Sequence, residues 1–201
     1  MTIYTSQPDG ANGIDTFMQS EFPTNNNGTS TNFYVGKSTT NIHRGLIKFD
    51  LSSIQPNAEV ISASLFLTQT SEGAVNNRTM RVFRQKRAWT EAGATWNKYD
   101  GTNNWGTAGG FNLSDCEQTD IGSISLSSTE ANGEKEIVLT ATAIQEMVSG
   151  DFANNGFLVK NDTENEDYHV FASSDNATAG YRPKLVIEYI LGGQVMIWSS
   201  E

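Results

Sequence analysis

The chain has almost no cysteine. Cys116 is the only one in 201 residues, so no disulfide can form within the chain and the fold needs no oxidising compartment. Positive charge is also scarce: 13 Lys and Arg stand against 23 Asp and Glu, for a net charge of −10. Such a surface repels nucleic-acid phosphates and anionic membranes, so neither is expected as a partner. No apolar run approaches the roughly 18 residues of a membrane span. The first basic residue is Lys37, and neither a basic start nor an apolar core of a secretory leader is present, so synthesis in a cytoplasm without general export is expected. Catalytic signatures are missing too. There is no Gly-x-Ser-x-Gly, His-Glu-x-x-His, phosphate-loop or dinucleotide-binding glycine pattern. The two histidines, His43 and His169, lie far apart in sequence, and Cys116 sits between Asp115 and Glu117, which raise a thiol pKa rather than lower it. The protein is expected not to be an enzyme.

What is abundant is Gly, Asn, Ser and Thr, with 18 glycines but 4 prolines. This composition suits many short strands joined by turns. Period-2 patterning marks about nine of them: 14–18, 32–36, 46–51, 60–70, 79–85, 136–139, 156–160, 168–172 and 184–190. In 46–51, Ile47, Phe49 and Leu51 share one face; in 60–70, Ile61, Ala63, Leu65 and Leu67 do. Ile47, Phe49, Leu65, Leu67, Phe157, Val159, Leu185 and Ile187 are the predicted core. One helix is expected over 140–148, with Ile144, Met147 and Val148 on its buried face, Thr142 and Gln145 at capping-box spacing and Gly150 as its stop. Nothing alternates strand with helix, so the fold predicted is all-β: an antiparallel β-sandwich of jelly-roll type with one short helix. Residues 1–190 form the single domain, and 191–201 follow as a C-terminal tail.

Several segments together resemble a known family. They are Arg44-Gly45-Leu46-Ile47-Lys48-Phe49-Asp50-Leu51, then Ile61-Ser62-Ala63-Ser64-Leu65, Trp89-Thr90-Glu91 with Ala94-Thr95-Trp96-Asn97, Asn155-Gly156-Phe157-Leu158-Val159-Lys160, and the closing Tyr181-Arg182-Pro183-Lys184-Leu185-Val186-Ile187-Glu188-Tyr189. They resemble the signature of DNRLRE-type (disaggregatase-related) domains from about Asp15 to Tyr189. The resemblance implies a jelly roll related to carbohydrate-binding modules, some of whose relatives bind alginate while others occur in secreted wall proteins and phage virions. It also implies Asp15 and Asp50 as candidate ligands of a structural calcium ion; no other cofactor is expected.

Trp89, Glu91, Thr95, Trp96 and Asn97 form the densest cluster, read either as a sugar platform or, with more weight, as a loop nailed to the core. Tyr99, Trp105 and Tyr181 lie in turn-rich context and are the candidate sugar-stacking aromatics. Arg84 and Lys86, from a basic group that includes Arg78, Arg81 and Arg87, are candidates to grip an anionic polymer, or else simply partner the abundant acids. Asp162, Glu164, Glu166 and Asp167 read as a solvated acidic loop. Ile3 and Tyr4 before the first strand, and Val195, Met196, Ile197 and Trp198 after the last, are candidate protein-contact residues.

Two functions are weighed, and the first is the one expected. The first is a structural interaction protein, a decoration or cement protein on a phage capsid exterior. It would be assembled in the host cytoplasm, homo-oligomeric, and partnered by the major capsid protein or another virion protein. The second is an extracellular carbohydrate-binding module for an anionic polysaccharide such as alginate.

Overall fold

The structure, a computed structural model, describes residues 1–73, 76–129 and 131–191. Its strands are β1 (Thr2–Ser6), β2 (Ile14–Gln19), β3 (Asn32–Ser38), β4 (Asn41–Lys48), β5 (Ala58–Glu72), β6 (Arg78–Arg84), β7 (Gly122–Leu126), β8 (Gly133–Leu139), β9 (Phe157–Asn161), β10 (Asp167–Ala172) and β11 (Lys184–Leu191), with helix α1 (Ala141–Ser149) between β8 and β9. All pairings are antiparallel. The all-β class and the single short helix are those predicted from sequence.

The sheet arrangement differs from two separate layers. Hydrogen bonds run continuously through β5, β10, β3, β4, β9, β6, β7 and β8 and return to β5, closing an eight-strand barrel. Two strands make this closure by changing neighbours along one edge. β5 gives one edge to β8 and the other first to β11, then to β10. β4 gives one edge to β2 and the other first to β3, then to β9. Register shifts opposite Val170/Phe171 and Glu188/Tyr189 bend β5 enough to serve both groups. Among the described residues, β1 and β2 are edge strands. On β2 the outward backbone groups are met by side chains: Glu91 Oε1 accepts from the Asp15 amide at 2.9 Å, and the Asn27 amide donates to the Phe17 carbonyl at 2.8 Å.

All eight predicted core residues are buried in the main cluster. Ile61 is the exception on its strand. The extra residue at the bulge reverses the alternation, so Val60 turns inward and Ile61 is 41% exposed. Leu46, patterned with the polar face of its strand, is fully buried because a long connection covers that face. Helix α1 buries Ile144, Met147 and Val148 and stops at Gly150, whose φ of 88° is the left-handed conformation a helix stop requires. The capping box does not form: Thr140 is the N-cap, and Gln145 instead bonds the Val60 amide at 2.7 Å and the Ala58 carbonyl at 2.9 Å, tying the helix to β5. Two strands carried no clear pattern, β1 and β7. Ile3 and Tyr4 lie in β1, which pairs with β11 of the same chain along its whole length.

Candidate functional site

The irregular connection from β6 to β7 builds a second, smaller core on the outer face of β2, β4, β6 and β9. Trp89, Ala94, Trp105 and Cys116 pack there on Met18, Leu46, Phe83 and Leu158. Both buried indoles are committed to carbonyls, Trp89 Nε1 to Asn155 and Trp105 Nε1 to Thr95, each at 2.8 Å. Arg44 clamps the connection from below. Its guanidinium stacks on Trp96, donates to the Gly109 carbonyl at 2.9 Å, and forms a two-pronged ion pair with Glu164 at 2.6 and 2.8 Å. The tryptophan cluster is therefore a fastening, not an open platform. Burial, then Asp115, pushes the Cys116 thiol up to about 12, so the sulfur is inert at neutral pH.

The basic group on β6 is spent on acids. Arg78 pairs with the buried Asp167 at 2.5 Å, Arg81 with Asp120, and Arg87 with the buried Asp115. Arg84 is 7% exposed and holds Glu117, Glu146 and the Ala143 carbonyl while lying over Phe152. It is closed to a ligand. Lys86 is exposed, with its ammonium on the Leu113 carbonyl. The acidic run likewise is not simply solvated, since Glu164 and Asp167 are ion-paired.

Of the candidate aromatics, Trp105 is buried, Tyr99 is half-buried edge-on to it beneath the Arg87 guanidinium, and Tyr181 is 48% exposed in a short 3-10 turn. These residues do not converge. Asp15 and Asp50 fall in different surroundings. Asp15 is 3% exposed and accepts from the Ser174 amide at 2.8 Å; burial, with Glu91 and Asp175 nearby, pushes its carboxyl up to about 7. Asp50 is exposed, and the Ser52 amide and hydroxyl hold its carboxyl below the usual range. Among the described residues no group of three or more His, Cys, Asp or Glu is placed to hold a metal ion. Val195, Met196, Ile197 and Trp198 lie outside the described residues.

A cleft of about 830 Å³ lies between β1, the end of β4, the β4–β5 connection and the last turn of α1. Leu51, Ile54, Met147 and Val148 form its apolar floor, and the Tyr4 ring a wall. The Tyr4 hydroxyl donates to the Asp50 carbonyl and so fixes β1 to the rim. Lys48, Asp50, Asn12 and Asn154 supply polar groups around the floor. Lys48 makes no ion pair among the described residues. Tyr4 and Asp50 were thus singled out by sequence for other roles. The remaining lining residues carry no local signal, because four separate segments bring them together.

No curated protein matches the chain. A family model described as the disaggregatase related repeat domain matches residues 15–187, a span that begins at Asp15 on β2 and ends at Ile187 on β11. The chain belongs to the disaggregatase-related repeat family.

Proposed function

We propose that this domain is a non-catalytic glycan-recognition module, and that the cleft beside Tyr4 is where it binds. The observation that carries the reading is the cleft itself: its volume falls within the range of ligand sites, with an apolar floor and a few polar groups converging on it. A pyranose ring has that dual character, C–H faces for the floor and hydroxyls for the rim. Lys48 and Asp50 place one charge of each sign at the rim, and the whole chain carries −10. With Arg84 sequestered, a neutral sugar chain fits better than the anionic polymer expected from sequence. We read the closed barrel as a flattened jelly roll, which leaves such clefts open at its ends. The capsid-decoration reading, expected from an acidic, thiol-poor chain with contact segments at both ends, gains no supporting observation: Ile3 and Tyr4 are in β1, paired with β11 of the same chain, and Val195, Met196, Ile197 and Trp198 lie outside the described residues.

Affinity electrophoresis through gels cast with neutral and acidic polysaccharides tests it. Retardation by a neutral polymer is expected, weakened in Lys48→Ala and Asn12→Ala, with no new reducing ends on prolonged incubation. Unretarded migration in every gel, or turnover lost in a single carboxylate variant, would overturn the proposal.

A further inference from the structure

The end of the barrel at the β3–β4 hairpin carries a second recess, remote from the cleft. On β3, Phe33 and Val35 enter the main core, so Tyr34 takes the opposite face. There it meets Tyr168 of β10 at 6.4 Å between ring centroids, and Phe17 at 4.9 Å. Both tyrosines are half-buried, and neither hydroxyl is bonded to a described residue. His43 lies 5.5 Å from the Tyr34 ring and 6.4 Å from Tyr168. It is 6% exposed, and its Nδ1 has no hydrogen-bond partner among the described residues. Beside Tyr168 opens a hollow of about 290 Å³, bounded by Lys37, Ser38, Thr39, Gly73 and Glu166. The Tyr168 ring fills the space a Cβ on Gly73 would need, which fixes the ring against the backbone. Thr39 holds a φ of 48°, the one non-glycine residue with positive φ among those described; it opens the two-residue β3–β4 hairpin loop, a turn that takes positive φ there, and so fixes the rim of the hollow.

We propose that this hollow is a second glycan subsite, taking a single neutral pyranose ring against Tyr168. The inference deepens the glycan reading given above but places binding elsewhere on the molecule. The aromatic face is the negative side of its quadrupole and attracts the weakly positive axial C–H groups of a sugar. A volume of 290 Å³ suits one ring rather than a chain. Lys37 offers a donor and Glu166 an acceptor across the rim, and neither is ion-paired with a described residue. Their opposite signs cancel, so the hollow favours neither an acidic nor an amino sugar. His43 and Lys48 are five residues apart on β4, roughly 17 Å at the usual strand rise. The two sites therefore engage separate glycan segments, and the domain is bivalent, gaining avidity on a multivalent surface.

The test is amide NMR on the full chain with methyl β-glucoside, methyl β-galactoside, methyl α-mannoside and N-acetylglucosamine at high millimolar concentration. At least one sugar is expected to shift the amides of Gly36, Thr39 and Tyr168 saturably. Tyr168→Leu, which keeps apolar volume but removes the flat face, should abolish those shifts while shifts at Asn12 and Lys48 persist. Lys37→Ala, at the surface, should weaken binding at the hairpin several-fold, and it decides the matter if Tyr168→Leu does not fold. Shifts confined to the cleft would overturn this inference and leave the cleft reading standing; shifts confined to the hairpin would do the reverse. No shift at either place would overturn both, and hairpin shifts indifferent to both substitutions would overturn the subsite.

Discussion

Two buried titratable side chains, Asp15 on β2 and His43 on β4, act on stability in opposite directions. The Asp15 carboxyl titrates at about 7 instead of 3.8, because burial disfavours its charge. The folded state therefore holds a proton that the unfolded state has lost, and stability falls as pH rises from about 4 to about 7. Burial holds the His43 imidazole at about 4 instead of 6.5. Here the unfolded state binds the extra proton, so stability is lost as pH falls from about 6.5 to about 4. Over the shared window the two slopes oppose, each approaching roughly 1.4 kcal/mol per pH unit at most. Urea titrations should show a nearly flat profile for the native chain between those limits. Asp15→Asn should expose a profile that rises with pH, and His43→Phe, among rings that accept it, one that falls. Parallel profiles for all three proteins would show that neither group is buried as described.

At the scale of elements, Arg44 adds a clamp to the long connection between β6 and β7, beside the core that its tryptophans build. Removing the Arg44 guanidinium leaves Glu164 unpaired at 15% side-chain exposure and strips the underside of Trp96. Arg44→Ala should cost about 3 kcal/mol. Hydrogen exchange should quicken at the Gly109 amide, which donates to the Trp96 carbonyl at 2.6 Å, before it quickens in β5. Equal protection at Gly109 in both proteins would count against the clamp.

Strands such as β5 and β8 were legible because a half-buried strand writes its burial in alternate residues, as Ala63, Leu65 and Leu67 do around Ser64 and Phe66. β7 was not, because Gly-Ser-Ile-Ser-Leu pairs beside a barrel seam and buries only Leu126 fully. Leu46 was assigned to the wrong environment because alternation describes one covered face, and β4 is covered on both. The cleft was illegible for a different reason. Its floor comes from the β4–β5 connection and α1, and its wall from β1, segments with no sequence relation to one another. Arg84 could not be told from a ligand-binding arginine by spacing, since Glu117 and Glu146 reach it from more than thirty positions away.

For the whole molecule, stability rests on one main core threaded by β5. Phe49 is 2% exposed in that core, and Phe49→Ala should cost about 3–5 kcal/mol, read as a lower urea midpoint with unchanged slope. Closure joins distant segments, such as β4 with β9 and β5 with β10, and β1 pairs with β11 from the other end of the described chain. Refolding is accordingly expected on the slow side for its size, milliseconds to seconds.

The first and last described strands are antiparallel neighbours, Thr2 opposite Tyr189, beside the start of β5. A circular permutant that joins residues 1 and 191 by a short linker and reopens the exposed Asn57 region should fold to the same far-UV spectrum. The far end of β5, at Glu72 and Gly73, is where Tyr168 and its hollow lie, roughly 45 Å away along the path of the strand. The barrel thus has a tethered pole and a free pole. Grafted through residue 1 or residue 191 to a bead, a fusion partner or another copy of itself, it presents the Tyr168 hollow outward, away from its anchor.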